Sequence, residues 1–533
     1  MRTRTWWLTL GGVAATWGAV LGGCNAIDDD CVSYRTCSEA GGSGTDGESG
    51  APADPSSGGA GKSGTSAGGA DASGDTGAAG GANDPGVAGA AGSAPSACDT
   101  SQSPRDETCL VSDDFALFVA PDGDDENPGT REAPLASLSK AAELAAGDKV
   151  VLVCNGSYDE HVTITSGVRV FGGFDCADWS DDPGAPSFGP TDPGAALSVD
   201  SVDAEVLLDR VSFEVGDAVE AGETALAAIV NASPRVTLRA VSLQAGSGRA
   251  GANGKLSAFT FPDAASLKGN PEGPAAEGGA EKVCTCQKGL TSTGGVGGTP
   301  SSSGQNGAKG LPSLGGGAGG DPSAGDCGGG SSGKKGADAS PEKPAPGAKR
   351  WGTISSLGWE AAAGTDGQPG QPGQGGGGGA SLSNSGHGGG GGCGGCGGNG
   401  GAAGKGGGAS IALLSLDSTV TLEGCSLRTA DAGKGGSGAA GQAGQQQAGG
   451  GGAPLDTVSS CGGGSGGFGA AGAAGGGGAG GISAGIVWQG DTAPNVSSDT
   501  TVTFGKPGSS GPGGVPGTND GVAGVARDVL EID

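Results

Sequence analysis

The chain has 533 residues, of which 124 are Gly and 29 are Pro, and aromatic residues make up only 4 %. That composition argues against one compact globule of this length and for a modest folded core diluted by Gly-rich, low-complexity segments. The formal net charge of -29 argues against a nucleic-acid binder, because it repels phosphate.

The N-terminus reads as an export signal. Arg2 and Arg4 precede an apolar run from Trp6 to Leu21 that is too short and too rich in Gly for a membrane span. The run closes on Leu21-Gly22-Gly23-Cys24. This sequence resembles the lipobox of bacterial lipoproteins. The resemblance implies a signal peptide over residues 1–23 and a lipidated Cys24 anchored in membrane lipid, at the outer membrane or cell surface of a bacterium. Acyl chains hold such an anchor with about 0.8 kcal/mol per buried methylene. Of 14 Cys, lipidation removes one and leaves an odd number. Disulfides are the default outside the cytoplasm. Close pairs are Cys31 with Cys37, Cys98 with Cys109, and Cys154 with Cys176. Cys284, Cys286, Cys327, Cys393, Cys396 and Cys461 lie in Gly-rich stretches, and their pairing stays open.

Residues 24–111 form an expected flexible stalk, since Ser38 to Ser103 offers no apolar face to offset the entropy of ordering. Order is expected from Phe115. Phe118 to Ala120 is a strand, and Pro121 to Arg131 a turn-rich acidic loop. Leu135, Leu138, Ala142 and Ala145 predict a helix over 137–146, stopped at Gly147. Val150 to Cys154, Val162 to Ile164 and Val168 to Phe171 read as strands.

An internal repeat follows. Val206-Leu-Leu208-Asp-Arg-Val211-Ser-Phe213 returns as Val236-Thr-Leu238-Arg-Ala-Val241-Ser-Leu243 and as Val420-Thr-Leu422-Glu-Gly-Cys425-Ser-Leu427, with a partial copy at Thr501 to Phe504. Apolar residues alternate, then shift phase by one. A strand, a corner and a second strand require that shift if both strands face inward. Such units stack and bury their inner faces on one another. Insertions then emerge at corners, which divides the chain into a coiled part at 112–245, an insertion at 246–408, a coil at 409–429, a second insertion at 430–480 and a last coiled part at 481–533. In this register Cys425 takes the place of Val211 and Val241 and is expected to be a free, buried thiol.

The block Val119-Ala-Pro-Asp-Gly-Asp-Asp-Glu-Asn-Pro-Gly-Thr130, followed by Ala133-Pro134-Leu135, the helix, Gly147-Asp148 and Gly156-Ser-Tyr158-Asp-Glu160, resembles the opening of many right-handed parallel β-helix proteins of the pectin-lyase-like kind. The Gly-rich parts resemble bacterial surface proteins of the PE-PGRS type in composition. The resemblance implies an all-β, right-handed parallel β-helix with a short N-terminal capping helix and long Gly-rich insertions. It implies no activity, because this frame carries lyases, hydrolases, adhesins and spacers.

No candidate site reaches catalytic strength. Asp122, Asp124 and Glu126 alternate like calcium ligands, but Asn127 replaces the required Gly and Ala133 the bidentate Glu, so a solvated turn is expected. Gly386-His387-Gly388 matches a polygalacturonase motif without the other residues those enzymes need, and His161 is expected to face solvent. Asp209, Arg210, Arg239 and Glu423 fall at near-equivalent repeat positions and are expected to be mixed charges stacked on an outer face. Cys393 and Cys396 have redox or zinc spacing, with Cys284 and Cys286 as conceivable partners in a zinc set, but disulfide staples are expected. The triplets from Gly364 to Gly373 are too short for a triple helix. Trp351 and Trp359 are expected to pin the first insertion to the coils rather than to stack on sugar. The expectation is therefore a non-catalytic cell-surface lipoprotein with a structural or adhesive role, without metal or cofactor, and with extracellular polysaccharide as the candidate contact. The rival is a β-helix polysaccharide lyase or glycoside hydrolase.

Overall fold

A computed structural model describes residues 98–145, 149–273, 277–300, 302–304, 315–328, 330–454, 456 and 458–533. Cys24, the signal segment and the Cys31–Cys37 pair lie outside them. Three parallel sheets of seven, six and six strands run along the stack, so the fold is an all-β parallel β-helix. One coil shows the plan: Val206–Asp209 lies in the first sheet, Ser212–Val215 in the second and Ala225–Asn231 in the third. The next coil sets Val236–Arg239, Ser242–Ala245 and Ser410–Leu416 on them, strand on strand.

The phase shift in the repeat is a left-handed corner. Arg210, Ala240 and Gly424 stand between the first and second strands of successive coils with φ of 55°, 51° and 60°. A single residue in this region turns the chain and keeps the next side chain inward, and Gly adopts it without the Cβ penalty. Like residues then stack in columns. Val168, Val206, Val236 and Val420 form one. Tyr158, Phe188, Phe213, Leu243, Leu427 and Val502 form another, whose first three rings stack at 4.7 and 5.4 Å. Each large side chain so buried contributes about 1.5–3 kcal/mol.

At the N-terminal end of the stack, the helix Leu138–Ala145 turns Leu138, Ala141, Ala142 and Ala145 into the same core. Its first N–H groups have no partner within the helix. The Glu160 carboxylate supplies one, accepting from Leu138 N at 2.9 Å and Ser139 N at 2.8 Å. Glu160→Ala is expected to cost about 1–2 kcal/mol, read by urea denaturation, because it removes this cap from a short helix.

All the long insertions leave one corner, between the second and third sheets. They occupy 246–409, 430–482 and 504–525 in successive coils. Composition argues for segments that dilute the core, and here the structure differs: the described residues from 98 to 533 fall in one compact unit. The Gly-rich segments are packed side by side with little helix or strand. Their backbone hydrogen bonds recur at every third residue, the period of a polyproline II helix. Gly364, Gly367, Gly370 and Gly373 donate in turn to Gly404, Gly401, Gly398 and Gly395. Successive N–H groups point to different neighbours: Gly475 to Ala439, Gly476 to Thr365 and Gly477 to Asn519. A polyproline II helix bonds nothing internally, so burial is feasible only when neighbours take its polar groups, as here. The Gly triplets therefore build a laterally bonded array and not a triple helix.

Cys425 is free and 2 % exposed, in column with Val211 and Val241, and burial raises its thiol pKa. Its Sγ lies 3.2 Å from the Leu238 carbonyl oxygen. Cys425→Val is expected to be nearly neutral. Cys425→Ser is expected to cost about 1 kcal/mol, since that carbonyl offers the hydroxyl an acceptor within the core. Denaturant titration of both variants reads the difference, and alkylation of the native protein should leave Cys425 unlabelled.

Candidate functional site

The charged residues of the repeat meet on the outer face of the first sheet. Asp209, Arg239 and Glu423 are in register on three successive strands. Asp209 is 5 % exposed. Its two carboxylate oxygens are occupied, one by Arg105 Nη1 at 3.3 Å and the other by Arg239 Nε. Arg210 turns away at the corner and donates to Asp181 at 2.8 Å, which also takes Arg105 Nε at 2.5 Å. Burial works to raise the Asp181 pKa, but the Arg105 and Arg210 guanidiniums outweigh it and hold the carboxyl below its ordinary value. Arg105 completes its contacts with the Gly172 carbonyl at 2.5 Å and lies over the Phe174 ring. The network is a latch: it holds the segment carrying Arg105 against the sheet.

That segment falls within the expected stalk. The expectation of a stalk to residue 111 is corrected for 98–111, which the Cys98–Cys109 disulfide closes into a loop. Arg169 adds to the hold by donating to the carbonyls of Thr100, Ser101 and Gln102. Between segment and sheet lies a polar groove of about 380 Å³, lined by Asp106, Arg169, Glu205, Thr237, Arg239 and Glu423 among others. It can accept hydroxyl and carboxyl groups. Sequence reasoning finds Asp209, Arg239 and Glu423 through the repeat, but misses Arg105 and Asp181, which lie in non-repeating segments. The one local signal is the Cys98 and Cys109 pair flanking Arg105.

The remaining candidates separate. Asp124 accepts from Glu126 N at 3.0 Å, and Asn127 Nδ2 bonds the Pro134 carbonyl at 2.9 Å, so the acidic loop is a self-bonded turn. His161 is exposed, with Nδ1 2.8 Å from the Ala195 oxygen. His387 is buried in the Gly-rich array, with Nε2 3.9 Å from Glu272, and takes no part in the charged network of the first sheet. Cys393 and Cys396 are not paired with each other; they join Cys284 and Cys286 respectively, which fills the conceivable zinc set with two disulfides. Cys154–Cys176 and Cys327–Cys461 are further disulfides. Cys98, Glu107 and Cys109 approach one another with metal-like spacing, but both thiols are in the disulfide. Trp359 is buried on the outer face of the third sheet with Leu226, Ile411 and Leu414, and Trp351 donates to the Ala523 carbonyl at 2.9 Å, so both pin the insertion.

Residues 121–174 match the family described as a protein of unknown function (DUF1565). The match covers the acidic loop, the capping helix, the strand of Tyr158 and the loop that carries Glu160. The uncharacterized protein YwoF of Bacillus subtilis (strain 168) is 40 % identical over 48 residues, 9 % of this chain and 10 % of that protein. The chain thus matches about a tenth of that relative's length. No solved structure matches.

Proposed function

We propose that this is a non-catalytic cell-surface lipoprotein with a structural or adhesive role, anchored through Cys24 and presenting its coils and Gly-rich array to extracellular polysaccharide. The observation that carries the reading is the latch on the first sheet. A general acid or base needs a free oxygen within reach of substrate, whereas both oxygens of Asp209 are engaged by guanidiniums. The five disulfides among the described residues support an oxidising compartment outside the cytoplasm. The test has two arms. Mass spectrometry of the mature protein is expected to find an acylated N-terminal Cys24, and a soluble protein starting elsewhere would refute the anchor. Incubation with pectate and alginate is expected to release no unsaturated or reducing sugar. Release that a single substitution at Asp209 or Glu423 abolishes would overturn the non-catalytic reading.

A further inference from the structure

We infer that the groove between the hairpin of Gly352–Ser355 and Gly358–Ala361 and the rim of the Gly-rich array is a binding site for an acidic oligosaccharide. This rests on the polysaccharide reading above and gives it a place and a charge. The hairpin lies on the outer face of the third sheet, held there by Trp359. On the array side it leaves a cavity of about 890 Å³, within the size range of small-molecule sites. Lys349, Arg350 and Lys405 converge on it, together with Glu223 and Glu360.

Three cations at one cavity stand out in a chain of net charge -29. All three are exposed, and none is in an ion pair among the described residues. Of the two carboxylates, Glu223 is already engaged, accepting from Val219 N at 2.7 Å and Glu220 N at 2.6 Å. With both carboxylates counted, the cavity still carries one more cation than anion, which fits an anionic ligand.

The shape narrows the class. A second cavity of about 510 Å³ shares Glu223, Thr224 and Trp359 with the first and runs past the hairpin tip to His161. The two cavities lie side by side along the hairpin with those three residues in common, an extent that suits a chain of units better than a single small anion. Trp359 walls both parts and keeps its Nε1 unbonded. Overall negative charge repels a densely charged polyphosphate. A sugar polymer with one carboxylate per unit meets the cations with less repulsion and brings hydroxyls to the Thr and Glu side chains of the wall.

The test is calorimetry on the full mature protein with oligogalacturonate as probe and a dextran oligosaccharide of equal length as the neutral control. Oligogalacturonate is expected to bind, more weakly as salt rises, and dextran not to bind. The triple variant K349Q/R350Q/K405Q is expected to lose about tenfold in affinity, from three exposed charge contacts of ordinary strength. K434Q/K506Q, at exposed lysines lining neither cavity, is expected to bind as the parent does. If the triple variant binds like the parent, the groove is not the site and the polysaccharide reading survives. Equal binding of dextran overturns the acidic class. If neither sugar binds, both the groove and the polysaccharide reading fall.

Discussion

Gly391→Ala is expected to lower the unfolding free energy by about 3 kcal/mol, while Gly450→Ala changes it by less than about 1 kcal/mol or raises it. Both residues lie in Gly-rich stretches with nothing in the sequence to tell them apart. In the array they differ completely. A Cβ on Gly391 would fall inside the carbonyl group of Gly376 on the neighbouring segment. That carbonyl accepts from Gly295 N at 2.9 Å, while Gly376 N donates to Gly392 at 2.8 Å and Gly391 N to Gly295 at 2.7 Å. Three segments meet there backbone to backbone, and no flexible side chain is available to give way. Separating them loosens hydrogen bonds on all three, which have no water to turn to. The same crowding requires Gly at every third position of a collagen triple helix. Gly450, by contrast, is exposed, and a Cβ there would meet nothing within 4 Å. Ala at that site restricts the unfolded chain at no cost to the folded one. Equal denaturation midpoints for the two variants would show that the array is not close-packed.

This contrast marks what the sequence makes legible. The coil strands are readable because their apolar residues alternate, and the phase shift at Arg210, Ala240 and Gly424 marks the left-handed corner of three successive coils. Ala225 to Val230 and Ser410 to Leu414 are visible as apolar stretches but not as a third sheet, because both of their faces are buried and period two disappears. The array is not legible from hydrophobicity at all. Its order rests on backbone hydrogen bonds and close approach, so a reading that looks for apolar faces sees only low complexity. The latch is half legible: Asp209 and Arg239 repeat, whereas Arg105 comes from a segment whose composition resembles a linker and whose role exists only once the sheet is assembled.

Removing the disulfide Cys284–Cys393 or the disulfide Cys286–Cys396 alone, by paired Ala substitution, is expected to cost about 2 kcal/mol, and removing both about 7 kcal/mol. Four Cys allow three pairings, and spacing does not choose among them. The structure does, and the choice has an energetic consequence. The two bridges span 109 and 110 residues and join the same two segments two or three residues apart. In the unfolded chain, either one already closes the long loop. The second then closes a ring of only a few residues, which removes little further entropy. Deleting one leaves the long loop closed, but deleting both opens it, and a loop of this length accounts for about 4.7 kcal/mol in the chain-entropy account. The costs should therefore be strongly non-additive, with a coupling well above 1 kcal/mol in a double-mutant cycle under urea. The array makes the double loss more severe, because Cys393 and Cys396 sit fully buried among its segments, where neighbours must be aligned before any backbone bond can form. Simple additivity of the two single losses would mean that the bridges act on folded-state packing and not on closure of the loop.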